Sequence, residues 1–377
     1  MGKNSNKEGI RMRSQRKHIR GLLLGLAVGD AMGCTVDRRS WAQIQEDYGP
    51  GGLQGYDLVN GYAEISSYTQ LAAFACNGLL LAMTRGQMRG KMAPLVNYIG
   101  LSSREWALSQ RPWGRPRKTY CWLMNQPELC RHRCMDTRML DTLSKPTLGT
   151  LTEPENTASS ATGITTALAV GMFRRLVRMS QEELNLLGAE AVALTHGGAT
   201  AFLSGAALTH MVSLMIRDTD TSFRKAALDA AKAVREQFGH RYSQAFEVSS
   251  QITLAASLAD DRATPPVQVM ERLGCETAAQ VLAGAVYAIL VNDGNFDSAL
   301  ITAVNHSGRS GAVGAITGAL LGLRMGEEAL PEFYIECLEP ADTLRELADD
   351  MFQGCTMDRS SKLFDLDWDR KYLHGGA

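Results

Sequence analysis

Hydrophobic and small residues recur at helical spacing along most of this chain. In the run from Ile19 to Gly33, Gly21, Gly25 and Gly29 lie four residues apart. In the run from Ala312 to Arg324, Gly314, Gly318 and Gly322 repeat that spacing, with Ala315 and Ala319 beside them. Residues four apart share one helical face, and a glycine face lets another backbone approach closely. Glycine costs a helix interior about 0.8–1 kcal/mol against alanine, so three in one helix imply a packing reason. Each stripe is the obvious partner for the other. A further helix is predicted to begin near Ser66, and Glu276 to Leu290 reads as a buried one. From Gln181 onward the pattern is one of amphipathic helices with short polar breaks. The Gly49–Gly55 stretch is a loop by its glycine and proline content. At the break after Arg217, Asp218 and Asp220 read as turn and capping residues. No strand pattern competes in this half, and there is neither an internal repeat nor a linker long enough to divide the chain. The expectation is one all-α domain over residues 19–377, behind a basic arm at 1–18.

Composition narrows the class. The chain has 377 residues, 45% hydrophobic and 21% charged, with a formal net charge of −1. Nothing global therefore points to nucleic acid or to a membrane. The apolar runs Gly21–Gly29 and Ala312–Leu323 fall short of the roughly 20 residues that span a bilayer. The polar, basic N-terminus lacks the apolar core of a signal peptide, and eight cysteines in so long a chain read as reduced thiols. Together these predict a soluble, cytoplasmic protein. The first twenty residues carry Lys3, Lys7, Arg11, Arg13, Arg16, Lys17 and Arg20 against Glu8 alone; a solvated terminus is favoured over a nucleic-acid or acidic-partner contact. Residues 104–138 mix Trp106, Trp113, Tyr120 and Trp122 with eight basic residues. That mixture fits tryptophans packed inward under arginines better than a stacking platform for a nucleotide or single strand. Cys130 and Cys134 lack the second pair that a structural zinc site needs.

The two glycine runs also carry a family resemblance. Arg20, Gly21, Gly25, Ala27, Gly29, Asp30, Ala31 and Gly33 match the opening motif of the ADP-ribosylglycohydrolases, and Val313, Gly314, Ala315, Ile316, Gly318 and Ala319 match their C-terminal signature. Thr195 and His196 resemble the family's Thr-His landmark. The resemblance runs from Ile19 to Leu347 and is weak between Gly86 and Leu151. It implies the family's all-α fold, an ADP-ribose-like ligand, and two magnesium ions held by aspartates and a threonine. At those positions the chain departs. Where relatives read Thr-Asp-Asp-Thr-Gln it has Ser66, Ser67, Tyr68, Thr69 and Gln70; where they read Asp, Ser/Thr, Asp and Thr it has Arg309, Ser310, Gly311 and Ala312. Hydroxyls alone do not hold magnesium against water, so no metal and no other cofactor is expected.

The candidate ligand-binding set is then Ser67, Tyr68, Ser159, Ser160, Gly163, His306, Ser307, Gly308, Arg309 and Ser310. The loop from Asn305 to Gly311 feeds a helix N-terminus, which favours an anion. Ser159, Ser160 and Gly163 sit where the family binds the diphosphate, and read equally as an anion cradle or an N-cap cluster. His196 reads as a satisfied, partly buried histidine. Arg309 either replaces the metals' charge toward a phosphate or carboxylate, or fills the site with a salt bridge to Asp30 or Asp37. Asp30 either serves the site or satisfies a helix end. Asp37, where relatives often carry a water-polarising glutamate, is either that group shortened or a solvated loop acid. Three functions follow: a pseudoenzyme that keeps a nucleotide or ADP-ribose-like ligand or a protein partner; a metal-independent glycosidase using carboxylates from Asp30, Asp37 and Glu64; or an interaction protein with a vestigial pocket.

Overall fold

The computed structural model describes residues 2–111, 118–134, 136–359 and 364–376, and no side chain of residues 2–14. Among these residues there are 18 α-helices, two short 3-10 helices and no strand. The first group comprises α1 (Gly2–Cys34), α2 (Trp41–Tyr48), α3 (Ser67–Arg89), α4 (Leu95–Ser109), α5 (Pro127–Cys130) and α6 (Thr137–Leu143). A middle group comprises α7 (Thr166–Phe173), α8 (Gln181–Ala193), α9 (Ala199–Arg217), α10 (Phe223–Phe238), α11 (Gln244–Leu258) and α12 (Pro266–Leu273). The last comprises α13 (Ala278–Val291), α14 (Phe296–Val304), α15 (Ser310–Met325), α16 (Glu332–Glu336), α17 (Ala341–Gln353) and α18 (Leu366–Leu373). One hydrophobic core runs through all three groups, as the single all-α domain expected from the sequence requires.

The two glycine stripes meet. A Cβ on Gly21, Gly25 or Gly29 would stand 2.1, 2.1 and 1.9 Å from the carbonyl oxygens of Gly322, Gly318 and Gly314. Gly33 closes the series against the Ser310 carbonyl at 2.3 Å. The register is antiparallel, so the C-terminal end of α1 arrives beside the N-terminal end of α15. Arg20 holds the outer end of this pair: its guanidinium donates to both carboxylate oxygens of Asp349 on α17, at 2.7 and 2.6 Å, and to Glu327 at 3.1 Å.

Other expected elements form with the capping that local chemistry favours. Ser66 is the N-cap of α3, its hydroxyl accepting from the Tyr68 N–H, and Thr277 caps α13 in a reciprocal pair with Gln280. Asp218 accepts from Asp220 N–H and Thr221 O–H in the turn between α9 and α10. In the 104–138 segment, Trp106 and Trp122 are buried, and the Trp106 indole donates to Gln70; Trp113, Arg115 and Arg117 lie outside the described residues. α1 continues back through the basic arm, so residue 18 falls inside one helix, and Arg16 pairs with Asp349 while Lys17 lies 3.5 Å from Glu328. One finding extends the sequence reading: α9 is long and apolar enough to cross a membrane by length and composition. Its apolar stretch is instead almost wholly buried in the protein, among helices that include α7, α8, α10 and α11.

Because backbone faces backbone, even one methyl group on the stripe has nowhere to go. Gly25→Ala is expected to destabilise by at least the roughly 1–3 kcal/mol typical of overpacking, read as a lowered urea midpoint. Gly55→Ala, whose Cβ would meet nothing within 4 Å, is expected to leave the midpoint within about 0.5 kcal/mol. Equal midpoints for the two variants would refute the tight contact.

Candidate functional site

Three helix ends converge at one place. Asp30, near the C-terminal end of α1 and fully buried, accepts from the N–H groups of Ser66 and Thr69 at 2.9 and 3.0 Å and from their hydroxyls at 2.5 and 2.6 Å. Burial pushes its carboxyl up, and these four bonds oppose that shift. Asp30 therefore fastens the start of α3 to the end of α1 and presents no free oxygen to a ligand. Asp37, in the turn after α1, accepts from the Gly311 N–H at 3.0 Å, one of the orphan donors of α15. Burial raises its carboxyl to about 6 against the opposing pull of that N–H and of Arg309 and Arg38. Glu64 lies in a separate ion network, 2.6 Å from Arg133, which also reaches Glu339 at 3.4 Å. The carboxylates Asp30, Asp37 and Glu64 are thus committed to three different partners.

Two adjoining cavities open at this junction, of about 310 Å³ and about 240 Å³, sharing Arg38 and Asp136 in their walls. The first is lined by Asp37, Ser66, Ser67, Tyr68, Arg133 and Thr162 among others. The second is lined by Ser159, Ser160, Thr195, His196, Arg138 and Arg309 among others. Of the candidate ligand-binding residues, Ser67, Tyr68, Ser159, Ser160 and Arg309 are brought together here. Gly163 sits behind the wall, where a Cβ would press within 2.6 Å of the His196 ring. The remaining loop residues turn inward. His306 is buried, with its ring nitrogens 3.0 and 2.9 Å from the carbonyls of Ser307 and Ala303. The Ser307 hydroxyl accepts from the Trp41 N–H and the Ser310 hydroxyl donates to the His306 carbonyl. Gly308 has φ of 132° and its carbonyl accepts from the Arg38 N–H at 2.8 Å.

Arg309 pairs with neither Asp30 nor Asp37. Its Nε lies 3.3 Å from Glu276, an exposed partner that anchors the side chain, and the residue lines the second cavity. Sequence reasoning missed Arg38, Arg133 and Asp136. Only Asp136 left a local signal, as the N-cap of α6 bonding the Met139 N–H. Its carboxylate is held well below the usual range by His196, with Met139 N–H and Thr162 O–H assisting against burial. The His196 ring lies between three partners, with Nδ1 2.8 Å from the Thr195 hydroxyl and Nε2 3.0 Å from the Ser160 hydroxyl and 3.7 Å from the Asp136 carboxylate.

The donor set does not fit magnesium, which takes hard oxygen ligands with carboxylates among them. At the positions implied by the resemblance stand a serine hydroxyl already given to Asp30, a second serine, the Tyr68 phenol that burial keeps neutral, a guanidinium, and no side chain at Gly311. Among the described residues no group of three His, Cys, Asp or Glu side chains is placed to hold a metal. A Cβ at position 311 would also meet the Tyr68 ring at 3.0 Å and Asp37 at 3.4 Å. The ring of Tyr68 and the missing side chain of Gly311 are therefore matched to one another.

Comparison with known proteins places this geometry. A family model described as ADP-ribosylglycohydrolase matches residues 11–361. Among solved structures, a chain titled "ADP-ribosylglycohydrolase-related protein complex" is similar with a TM-score of 0.54 at 17% identity, over 90% of this chain and 99% of that one. A likeness at that identity speaks to the fold alone. None of the curated proteins gives a match.

The Asp37 environment has a measurable consequence. A carboxyl raised by folding is protonated more readily in the native state, so its contribution is present at low pH and lost as pH climbs from about 4 through about 6. Asp37→Asn keeps an acceptor for Gly311 and removes the titration. The variant is expected to gain on the wild type between pH 4 and pH 7.5, by on the order of 2–3 kcal/mol, in urea unfolding. Parallel pH profiles would show that Asp37 is not desolvated.

Proposed function

Because the chain belongs to the ADP-ribosylglycohydrolase family, we propose that it is a metal-free member that binds an ADP-ribose-like or related anionic ligand without hydrolysing it. The observation that carries this reading is Arg309. A guanidinium stands where the resemblance implies a metal-binding aspartate, anchored by Glu276 and lining the same cavity as Ser159, Ser160 and Arg138. Hydroxyls and fork-shaped donors suit phosphate oxygens, and Arg38 and Arg133 extend the cationic wall. A charge-assisted hydrogen bond of this kind contributes about 1.5–3 kcal/mol, enough to offset part of the attraction that metals supply elsewhere.

A second reading, metal-independent glycoside cleavage, draws support from a different pair than the sequence offered. Asp37 and Asp136 line one cavity, the first carboxyl raised to about 6 and the second held low. Environments that push two carboxyls apart are the mark of an acid and base pair.

Calorimetry with ADP-ribose separates these readings. Binding is expected to be the same with magnesium and with a chelator, and Arg309→Ala is expected to weaken it about 10–100-fold. ADP-ribosylated arginine and serine substrates are expected to release nothing in either condition. Binding that requires magnesium would refute the metal-free reading. Turnover that survives a chelator and is lost in Asp37→Asn would favour the second reading. No binding at all would leave a protein partner, and the vestigial pocket, as the better account.

A further inference from the structure

A third cavity, away from the cleft, has walls of a different kind. It lies between α4 and α8 under the 146–152 loop and encloses about 710 Å³, within the range of small-molecule sites. α4 presents Val96, Gly100 and Leu101 to it, and the loop adds Leu148 and Leu151. Leu186, Glu190 and Leu194 come from the α8 side at four-residue spacing, so a carboxylate stands in the middle of an apolar stripe.

The loop that roofs the cavity is pinned at several points. The Arg104 guanidinium donates to the carbonyls of Lys145 and Pro146 at 2.5 and 2.9 Å. The Tyr242 hydroxyl donates to the Leu151 carbonyl at 3.0 Å, and the Thr150 N–H donates to the Glu153 carbonyl. Gly149 fits against the Ala193 carbonyl, where a Cβ would stand at 2.7 Å. The space is therefore standing, not a gap under a loose segment.

Its charged groups are not equivalent. Arg104 faces the loop carbonyls through one terminal nitrogen, while its buried Nε has no hydrogen-bond partner among the described residues. Arg241 is exposed at the rim, where water satisfies a guanidinium. Glu190 is half-buried, and among the described residues its carboxylate has neither an ion pair nor a hydrogen bond; burial alone acts on it and pushes its carboxyl up. A partly desolvated carboxylate without a partner among apolar side chains is costly, and a cationic N–H donor relieves that cost. We propose that the α4–α8 cavity is a second ligand site, taking an apolar small molecule that carries a protonated amine, with Glu190 as the counter-ion and Leu101, Leu148, Leu186 and Leu194 around the apolar body.

The probes are 2-phenylethylamine, its neutral counterpart 2-phenylethanol, and the carboxylate 3-phenylpropionate, titrated into the full chain at pH 7.5 with ligand-observed NMR as readout. The amine is expected to bind at least about tenfold more tightly than the other two. Glu190→Gln is expected to bring the amine down to the level of the alcohol. Thr147→Trp, a substitution at an exposed wall position, is expected to weaken all three. Asp37→Asn, which removes the raised carboxyl of the cleft, is expected to leave amine binding intact. The proposal is overturned if no probe binds at millimolar concentration, if all three bind alike, if the carboxylate binds best, or if Asp37→Asn rather than Glu190→Gln abolishes the preference. Because none of these probes is an ADP-ribose analogue, failure here is distinct from failure of the function proposed for the cleft.

Discussion

The contact between the backbones of α1 and α15 sets the geometry of everything that follows. Two helices normally keep about 8–10 Å between axes because side chains intervene; here six glycines remove them, and each helix rests on the carbonyl oxygens of the other. Such a contact has almost no tolerance for sliding, since every residue on the stripe is matched to one on its partner. The antiparallel register then fixes a distance that matters for chemistry. It brings the turn after α1, with Asp37, to the first free N–H groups of α15, where Gly311 donates to it.

The second constraint is Asp30. Its four hydrogen bonds satisfy the start of α3 as an N-cap would, but from another helix 36 residues earlier in the chain. A capping acid borrowed from α1 means that the N-terminus of α3 cannot shift without α1. The cleft is thus built largely from ends of helices and the turn after α1, and its far wall, from Arg131 to Cys134 with Asp136 and from Asn156 to Thr165, is irregular chain. The first of these is held in turn by polar side chains of the core: Gln110 accepts from the N–H groups of Arg133 and Cys134, and Gln70 donates to the Arg131 carbonyl.

This division explains what could be read from the residues alone. The glycine stripes, the start of α3 and the buried α13 were legible because each rests on local spacing or a local cap. Asp30 was recognisable as either a site group or a helix-end acceptor, and its burial decides for the latter. His306, Ser307 and Ser310 read as site residues because they precede a helix N-terminus; in the structure the His306 ring and the Ser310 hydroxyl meet neighbouring carbonyls, and the Ser307 hydroxyl accepts from the Trp41 N–H. Arg38 and Arg133 gave no periodic signal, because their place in the wall comes from tertiary hydrogen bonds to the Gly308 carbonyl and to Gln110. Arg309 was singled out for its charge, and of the two readings open for it the salt bridge to Asp30 or Asp37 does not form: both acids are engaged by helix ends, and the Arg309 Nε lies 3.3 Å from Glu276 instead.

The same geometry bears on how a metal-dependent arrangement and this one can share a fold. On the proposed reading, the chain lacks both the divalent ions and the carboxylates that would balance them, so the local charge changes little when the two are lost together. Losing either alone would leave several uncompensated charges in a partly desolvated cleft, at a cost of several kcal/mol per ion. The exchange must also satisfy packing. The Tyr68 ring occupies space that a side chain at position 311 would enter, and Gly311 lets its own N–H reach Asp37 without obstruction. An aspartate introduced at 311 alone would press against both the ring and the Asp37 carboxylate. On the proposed reading, positions 68 and 311 are therefore tied by sterics, and Arg309 enters through the charge it presents to Asp37.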